Sequence, residues 1–270
     1  MVRSPPEHSE TAVNPQRFAG RPVTGVYDVS VPTLTIFPAK GRDNGAAVVV
    51  FPGGGFKQLA IDLEGTEACD WLNTRGYLCA LVKYRVPDSD HHHDDKCECG
   101  VTPKHLTALE DAQRAIRIVR ANSASLGVDP QKIGVMGFSA GGYLVAETSN
   151  IFAPAYAPVD SIDRFSSRPD FAIALYPGHL CRDGKSLVPN IKVTKKTPPT
   201  FLLQAWNDPT DAICNSAQYA RALAEAGVPA EVHLFAQGGH AFAFRPTGTA
   251  IDRWPTLLEA WLDHLIPSKR

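Results

Sequence analysis

The run Ile133-Gly134-Val135-Met136-Gly137-Phe138-Ser139-Ala140-Gly141-Gly142 decides the fold. Ile133 to Phe138 reads as a buried strand and Ala140 to Ser149 as a helix. Between them, Gly137-Phe138-Ser139-Ala140-Gly141 satisfies Gly-x-Ser-x-Gly in the strand–turn–helix setting that the pattern requires. A serine there must occupy a strained, tight turn, so that its hydroxyl projects from the end of the sheet. Side chains at 137 and 141 would collide with neighbouring backbone. Ser139 is the candidate nucleophile.

Outward from this turn, strand and helix patterns alternate. Thr33 to Ala39 alternates like a half-buried strand, and Ala46 to Pro52 is a continuous β-branched run, the mark of a strand covered on both faces. A helix over Glu64 to Asn73 leads to a buried strand at Tyr77 to Lys83. Thr107 to Asn122 places Leu109, Ala112, Ile116 and Val119 on one helical face. Strands follow at Phe171 to Tyr176, Thr200 to Ala205 and Ala230 to Phe235, with helices at Ser216 to Ala226 and Trp254 to Leu265. Such alternation predicts an α/β fold, a mostly parallel central sheet with helices on both faces. Residues 1–30 read as a partly irregular N-terminal extension. Residues 31–270 read as one domain, with a loop insertion around 86–104.

In this class of sheet, chemistry gathers at the carboxyl ends of the strands, and the chain order is serine, acid, histidine. His240 lies in Gln237-Gly238-Gly239-His240, a glycine loop directly after the strand Ala230 to Phe235. His233 falls inside that strand, His179 precedes the acid candidates, and His264 lies in the last helix. His240 is the candidate base. For the acid, Asn207-Asp208-Pro209-Thr210-Asp211 leaves the strand Thr200 to Ala205. Asp208 is nearer the strand end and stiffened by Pro209, so it is preferred. Asp211 is the alternative; about one turn further on, its carboxylate is expected to face the following helix N-terminus.

Acyl transfer also needs donors for a developing oxyanion. Pro52-Gly53-Gly54-Gly55-Phe56 leaves the strand Ala46 to Pro52, and its glycines let bare N–H groups approach a carbonyl. Gly54 and Gly55, with Ala140 after the serine, are the candidate oxyanion hole.

These segments resemble the α/β-hydrolase superfamily, close to its branch of small esterases that includes acetyl-xylan and other carbohydrate esterases. The resemblance runs from Pro52 to Phe242 through the glycine loop, Glu64-Gly65, Lys83-Tyr84-Arg85 and Asp111-Ala112-Gln113-Arg114-Ala115-Ile116-Arg117. It continues through Asp208-Pro209 to Asn215-Ser216 and Gly238-Gly239-His240. Two departures stand out: Ala241 replaces a usual glycine, and Asp211-Ala212 replaces a usual Val-Pro pair. The resemblance implies a serine carboxylesterase that works through an acyl-enzyme, on short-acyl esters of small molecules or carbohydrates, with no cofactor. An oligopeptidase-like serine peptidase is the enzymatic alternative.

Composition limits the remaining classes. The 270 residues carry 27 Lys+Arg against 28 Asp+Glu, which argues against a nucleic-acid binder working through a basic surface. No apolar run approaches the ~20 residues of a membrane span. The first twenty residues lack the apolar stretch of a secretory signal, so the chain as written is expected to be cytoplasmic, or secreted if a leader was trimmed. Six cysteines permit up to three bridges, although a chain of this size does not need them as staples. His91-His92-His93-Asp94-Asp95-Lys96-Cys97-Glu98-Cys99 concentrates metal-ligand types, but ligands in a row rarely converge tetrahedrally. That run reads as a solvated loop, with no metal site assigned. A non-catalytic metal-binding protein on a hydrolase scaffold is the alternative outside enzymes.

Overall fold

The computed structural model describes residues 11–41, 43–87, 92–94, 99–101 and 107–266. Its centre is a seven-stranded sheet of β3 (Thr33–Phe37), β4 (Ala46–Phe51), β6 (Tyr77–Lys83), β9 (Ile133–Phe138), β10 (Phe171–Leu175), β13 (Thr200–Ala205) and β14 (Ala230–Phe235). The spatial order is β14-β13-β10-β9-β4-β6-β3. Only β3 runs antiparallel, pairing with β6 at one edge. The other neighbours are parallel.

Among the described residues, five α-helices cover the sheet: α1 (Glu67–Asn73), α2 (Thr107–Ala121), α3 (Ala140–Asn150), α4 (Cys214–Glu225) and α5 (Trp254–Leu265). Strand β4 shows why both faces must be covered, because all six of its residues are buried. Ala47, Val49 and Phe51 pack with Leu109 and Ile116 of α2, Leu144 of α3 and Leu223 of α4. Ala46, Val48 and Val50 point the other way, onto Leu72 of α1 and Leu258 and Leu262 of α5. The period of two along each strand thus divides one apolar run between two cores. This is the doubly covered, mostly parallel sheet expected from the sequence.

Two segments differ from expectation. Within residues 1–30, Thr11–Phe18 and Arg21–Tyr27 form strands β1 and β2, which join β5 (Gln58–Ala60) in a separate antiparallel sheet. Pro15 and Pro22 interrupt the alternation in sequence, and the third strand lies more than thirty residues away, so the pairing is invisible locally. In the insertion, His92–Asp94 (β7) pairs antiparallel with Cys99–Val101 (β8), where a loop was expected throughout. The side chains of the His91 to Cys99 run lie outside the described residues. Short strands β11 (Cys181–Arg182) and β12 (Ser186–Leu187) form a small ribbon after β10. Disulfides join Cys69 to Cys79, between α1 and β6, and Cys181 to Cys214, between β11 and α4. No helix among the described residues is long and apolar enough to cross a membrane.

Candidate active site

Ser139 links β9 to α3 with φ 52° and ψ −118°, a conformation that L-residues rarely adopt. Such a backbone costs on the order of 1–3 kcal/mol and persists only where its surroundings hold it. The close approach around it explains the glycines. A Cβ on Gly137 would lie 2.1 Å from the Gly141 carbonyl oxygen, and one on Gly141 would lie 2.0 Å from that of Phe51. Ser139 is further held by its N–H to the Leu175 carbonyl (3.0 Å) and by its own carbonyl, which accepts from Gly178 N–H (3.1 Å).

Three side chains meet at this end of the sheet. His240 Nε2 is 3.0 Å from Ser139 Oγ, and its Nδ1 is 2.8 Å from Asp208 Oδ2. Asp208 has a fully buried side chain, and its second oxygen accepts from the N–H groups of Thr210 and Asp211, both at 2.9 Å. Asn207 Oδ1 receives the N–H groups of Gly238 and Gly239 at 3.0 Å, which ties the acid loop to the histidine loop. The ring of His240 lies edge-on to Tyr176, with centroids 5.0 Å apart.

The surrounding charges favour the protonated form of this histidine. Burial opposes the imidazolium, but the hydrogen bond it donates to Asp208 and the charges of Asp211, Asp208 and Glu64 outweigh it, so the His240 pKa is raised above its ordinary value.

Gly54 and Gly55 line the same cavity as Ser139, a space of about 730 Å³. Gly54 has φ +134°, and a Cβ there would lie 2.2 Å from the Gln58 carbonyl oxygen, so only glycine suits this turn. The Gly53 N–H donates to Glu64 Oε2 at 2.8 Å. Ala140, whose N–H is the third candidate donor, is fully buried at the first position of α3. Behind the loop, Tyr84 donates its hydroxyl to the Pro52 carbonyl at 2.6 Å. Arg85 holds Asp111 of α2 through Nε and Nη2, at 2.9 and 2.7 Å. Tyr84 thus braces the strand end that carries the glycine loop, while the Arg85–Asp111 pair ties the end of β6 to α2.

At three residues the structure departs from the sequence reading or adds to it. Asp211 does not face the N-terminus of α4. Its carboxylate turns inward, with Oδ2 3.3 Å from Ser139 Oγ and 3.7 Å from His240 Nε2. Burial, together with the charge of Asp208, pushes its pKa up to about 6 despite the opposing His240. Glu64, read as the start of a helix and as part of the family resemblance with no role assigned, sits in a π-helical turn at Asp62–Thr66 and is buried behind the glycine loop. His179, set aside by chain order, lines the cavity. The sequence signals for the first of these were its place as the alternative acid and the Asp211-Ala212 departure. Among the described residues, no group of three metal-ligating side chains converges.

The profile of the prolyl oligopeptidase family matches residues 69–268. An acetylxylan esterase of Xylanibacter ruminicola is 30% identical over 214 residues, covering 74% of this chain and 42% of that protein. A carboxylesterase of Mycobacterium tuberculosis is 26% identical over 265 residues, 86% of this chain and 76% of its own length. Among solved structures, an acetyl ester-xyloside bifunctional hydrolase from Caldicellulosiruptor lactoaceticus superimposes with a TM-score of 0.73 at 32% identity, covering 87% of this chain and 88% of that one. The chain spans less than half the length of the acetylxylan esterase, and 32% of a similar endo-1,4-beta-xylanase from Butyrivibrio fibrisolvens. Over most of its length this chain has the α/β-hydrolase fold and belongs to the prolyl oligopeptidase family.

Proposed function

We propose that the protein is a serine carboxylesterase for short-acyl esters, with acetylated carbohydrates as the preferred class. The observation that carries this reading is the unbroken relay Asp208–His240–Ser139, at 2.8 and 3.0 Å, on the wall of an open cavity. Ser139 Oγ attacks the ester carbonyl while His240 Nε2 takes its proton. The N–H groups of Gly54, Gly55 and Ala140 receive the negative charge that develops on the carbonyl oxygen. Collapse breaks the bond to the alcohol oxygen, which leaves with the proton from Nε2. Water, deprotonated by the same nitrogen, then attacks the acyl-enzyme; the acyl–Oγ bond breaks, Nε2 returns the proton to Ser139 Oγ, and the acid is released. Asp208 orients the ring and stabilises its cation throughout. These steps use no metal or cofactor.

The acetyl and carbohydrate preference is supported by two relatives, one named for acetylxylan and one for an acetyl ester and a xyloside. Hydrolysis rates across a p-nitrophenyl ester chain-length series, followed by acetylated xylan, test it. The expected result is a maximum at acetate and release of acetate from the polymer. A higher rate on peptide anilides than on esters would favour the oligopeptidase-like alternative.

A further inference from the structure

Asp211 places a second carboxylate against the reacting atoms, and the relay does not use it. Asp208 already serves His240, with both of its oxygens engaged. Asp211 is nevertheless fixed in place. Its N–H donates to Asp208 Oδ1 at 2.9 Å, and its carbonyl accepts from the buried Gln204 Nε2 at 2.7 Å. On its far side the carboxylate abuts Gly178, where a Cβ would lie 2.7 Å from Asp211 Oδ1.

In the free enzyme its Oδ2 accepts from the Ser139 hydroxyl at 3.3 Å, in competition with His240 for that group's single proton. Once Oγ is bonded to an acyl carbon, its proton lies on His240 Nε2, 3.7 Å from Asp211 Oδ2, and the serine no longer donates to the carboxylate. A shielded carboxylate left in that state is costly. An apolar ester offers nothing in return, whereas an ester bearing a hydroxyl or ammonium next to its carbonyl can fill the place.

We propose that Asp211 is a specificity residue that accepts a hydrogen bond from a donor group on the substrate beside the reacting ester. The inference rests on the esterase reading above. The donor belongs either to the alcohol, as in a partly acylated sugar ring, or to the acyl group, as in a hydroxyacyl or aminoacyl ester. The chemistry is the same in both cases.

Its strength depends on ionisation. Asp208 and His240 are the titratable groups facing Asp211, and Glu64, His179 and Arg17 also line the cavity. Burial raises the Asp211 pKa to about 6, so the carboxylate is the better acceptor above that pH. Two esters compared on one enzyme share the His240 titration, and their ratio cancels it.

The test uses matched pairs: 2-hydroxyethyl acetate against propyl acetate, and ethyl glycolate against ethyl propionate. kcat/KM is measured for the unmodified enzyme, Asp211→Asn and Asp211→Val. In Asp211→Val, the hydroxyl-to-alkyl ratio of one pair should fall by about tenfold or more, and the pair affected shows which side of the ester carries the donor. Asp211→Asn, which keeps the shape and one acceptor oxygen, should fall less. The ratio should rise with pH through about 6 in the unmodified enzyme and stay flat in the valine variant. Each ratio is internal to one preparation, so partial misfolding does not imitate the effect. Ratios within twofold of the unmodified enzyme for both pairs would overturn the assignment of Asp211. Absence of hydrolysis of every ester by the unmodified enzyme would instead overturn the esterase reading, and this inference with it.

Discussion

Tyr176 donates its hydroxyl to Glu64 Oε1 at 2.9 Å, inside the protein and behind the reacting serine. The same hydroxyl oxygen accepts the Ala243 N–H at 3.2 Å, and the other oxygen of Glu64 accepts the Gly53 N–H at 2.8 Å. One buried carboxylate and one phenol thus join the glycine loop after β4 to the histidine loop after β14. Burial raises the Glu64 pKa, while His240, Tyr176 and Gly53 favour its ionised form.

Glu64→Ala should therefore disturb both loops. It leaves a buried N–H and a buried O–H without their acceptor, at about 1–3 kcal/mol each. We expect a stability loss of roughly 2–6 kcal/mol by denaturant titration, and at least a tenfold lower kcat, about 1.4 kcal/mol in the barrier. A variant with unchanged midpoint and kcat would show that the bracing is idle.

Asp208→Asn should lower kcat by about 10^4, because the amide keeps the shape but no longer holds His240 in the tautomer that accepts from Ser139. Steady-state rates on p-nitrophenyl acetate decide it. Near-normal turnover would transfer the acid role to Asp211.

The acid limb of kcat/KM should lie above the ordinary histidine pKa of ~6.5. His240 must be neutral to act as base, and its neighbours hold its pKa up. Asp211→Asn removes one of the charges that raise it, so the limb should move to lower pH. A limb that stays in place or rises would contradict the charge coupling across the 3.7 Å between Asp211 Oδ2 and His240 Nε2.

The same carboxylate should cost stability. Its pKa is about 6 in the folded protein against 3.8 as the ordinary value, so the native state binds the proton more tightly. The stability linked to that proton is complete below the unfolded pKa and is lost as pH rises through about 6. Asp211→Asn escapes this loss. Relative to the unmodified enzyme it should gain little near pH 4 and up to about 3 kcal/mol near pH 8, at ~1.4 kcal/mol per pKa unit. Unfolding midpoints at the two pH values check the sign.

The legible parts of the molecule were those written in short windows. Gly137 to Gly141 carries its own sterics, and the strands of the central sheet carry continuous apolar runs. His240 and Asp208 were legible because each follows a strand directly. What could not be read depends on partners distant in sequence. The strands Thr11–Phe18 and Arg21–Tyr27 find their third member only at Gln58–Ala60. Phe18 and Arg21 offer carbonyls to Arg245, which also holds Glu67 at 2.7 Å, so this small sheet is anchored from the far end of the chain. Asp211 was misread because a helix-end carboxylate is the ordinary local outcome. The Gln204 bonds to the Asp211 and Ala212 carbonyls and the close approach of Gly178 turn it inward instead.

The central claim is that Ser139 forms the covalent intermediate. Incubation with diethyl p-nitrophenyl phosphate, which traps a serine activated by histidine, followed by peptide mass mapping, tests it most directly. One diethylphosphoryl group on Ser139, appearing as activity disappears and absent from His240→Ala, is the predicted result. Full inactivation with Ser139 unmodified, or labelling on another residue, would contradict the account.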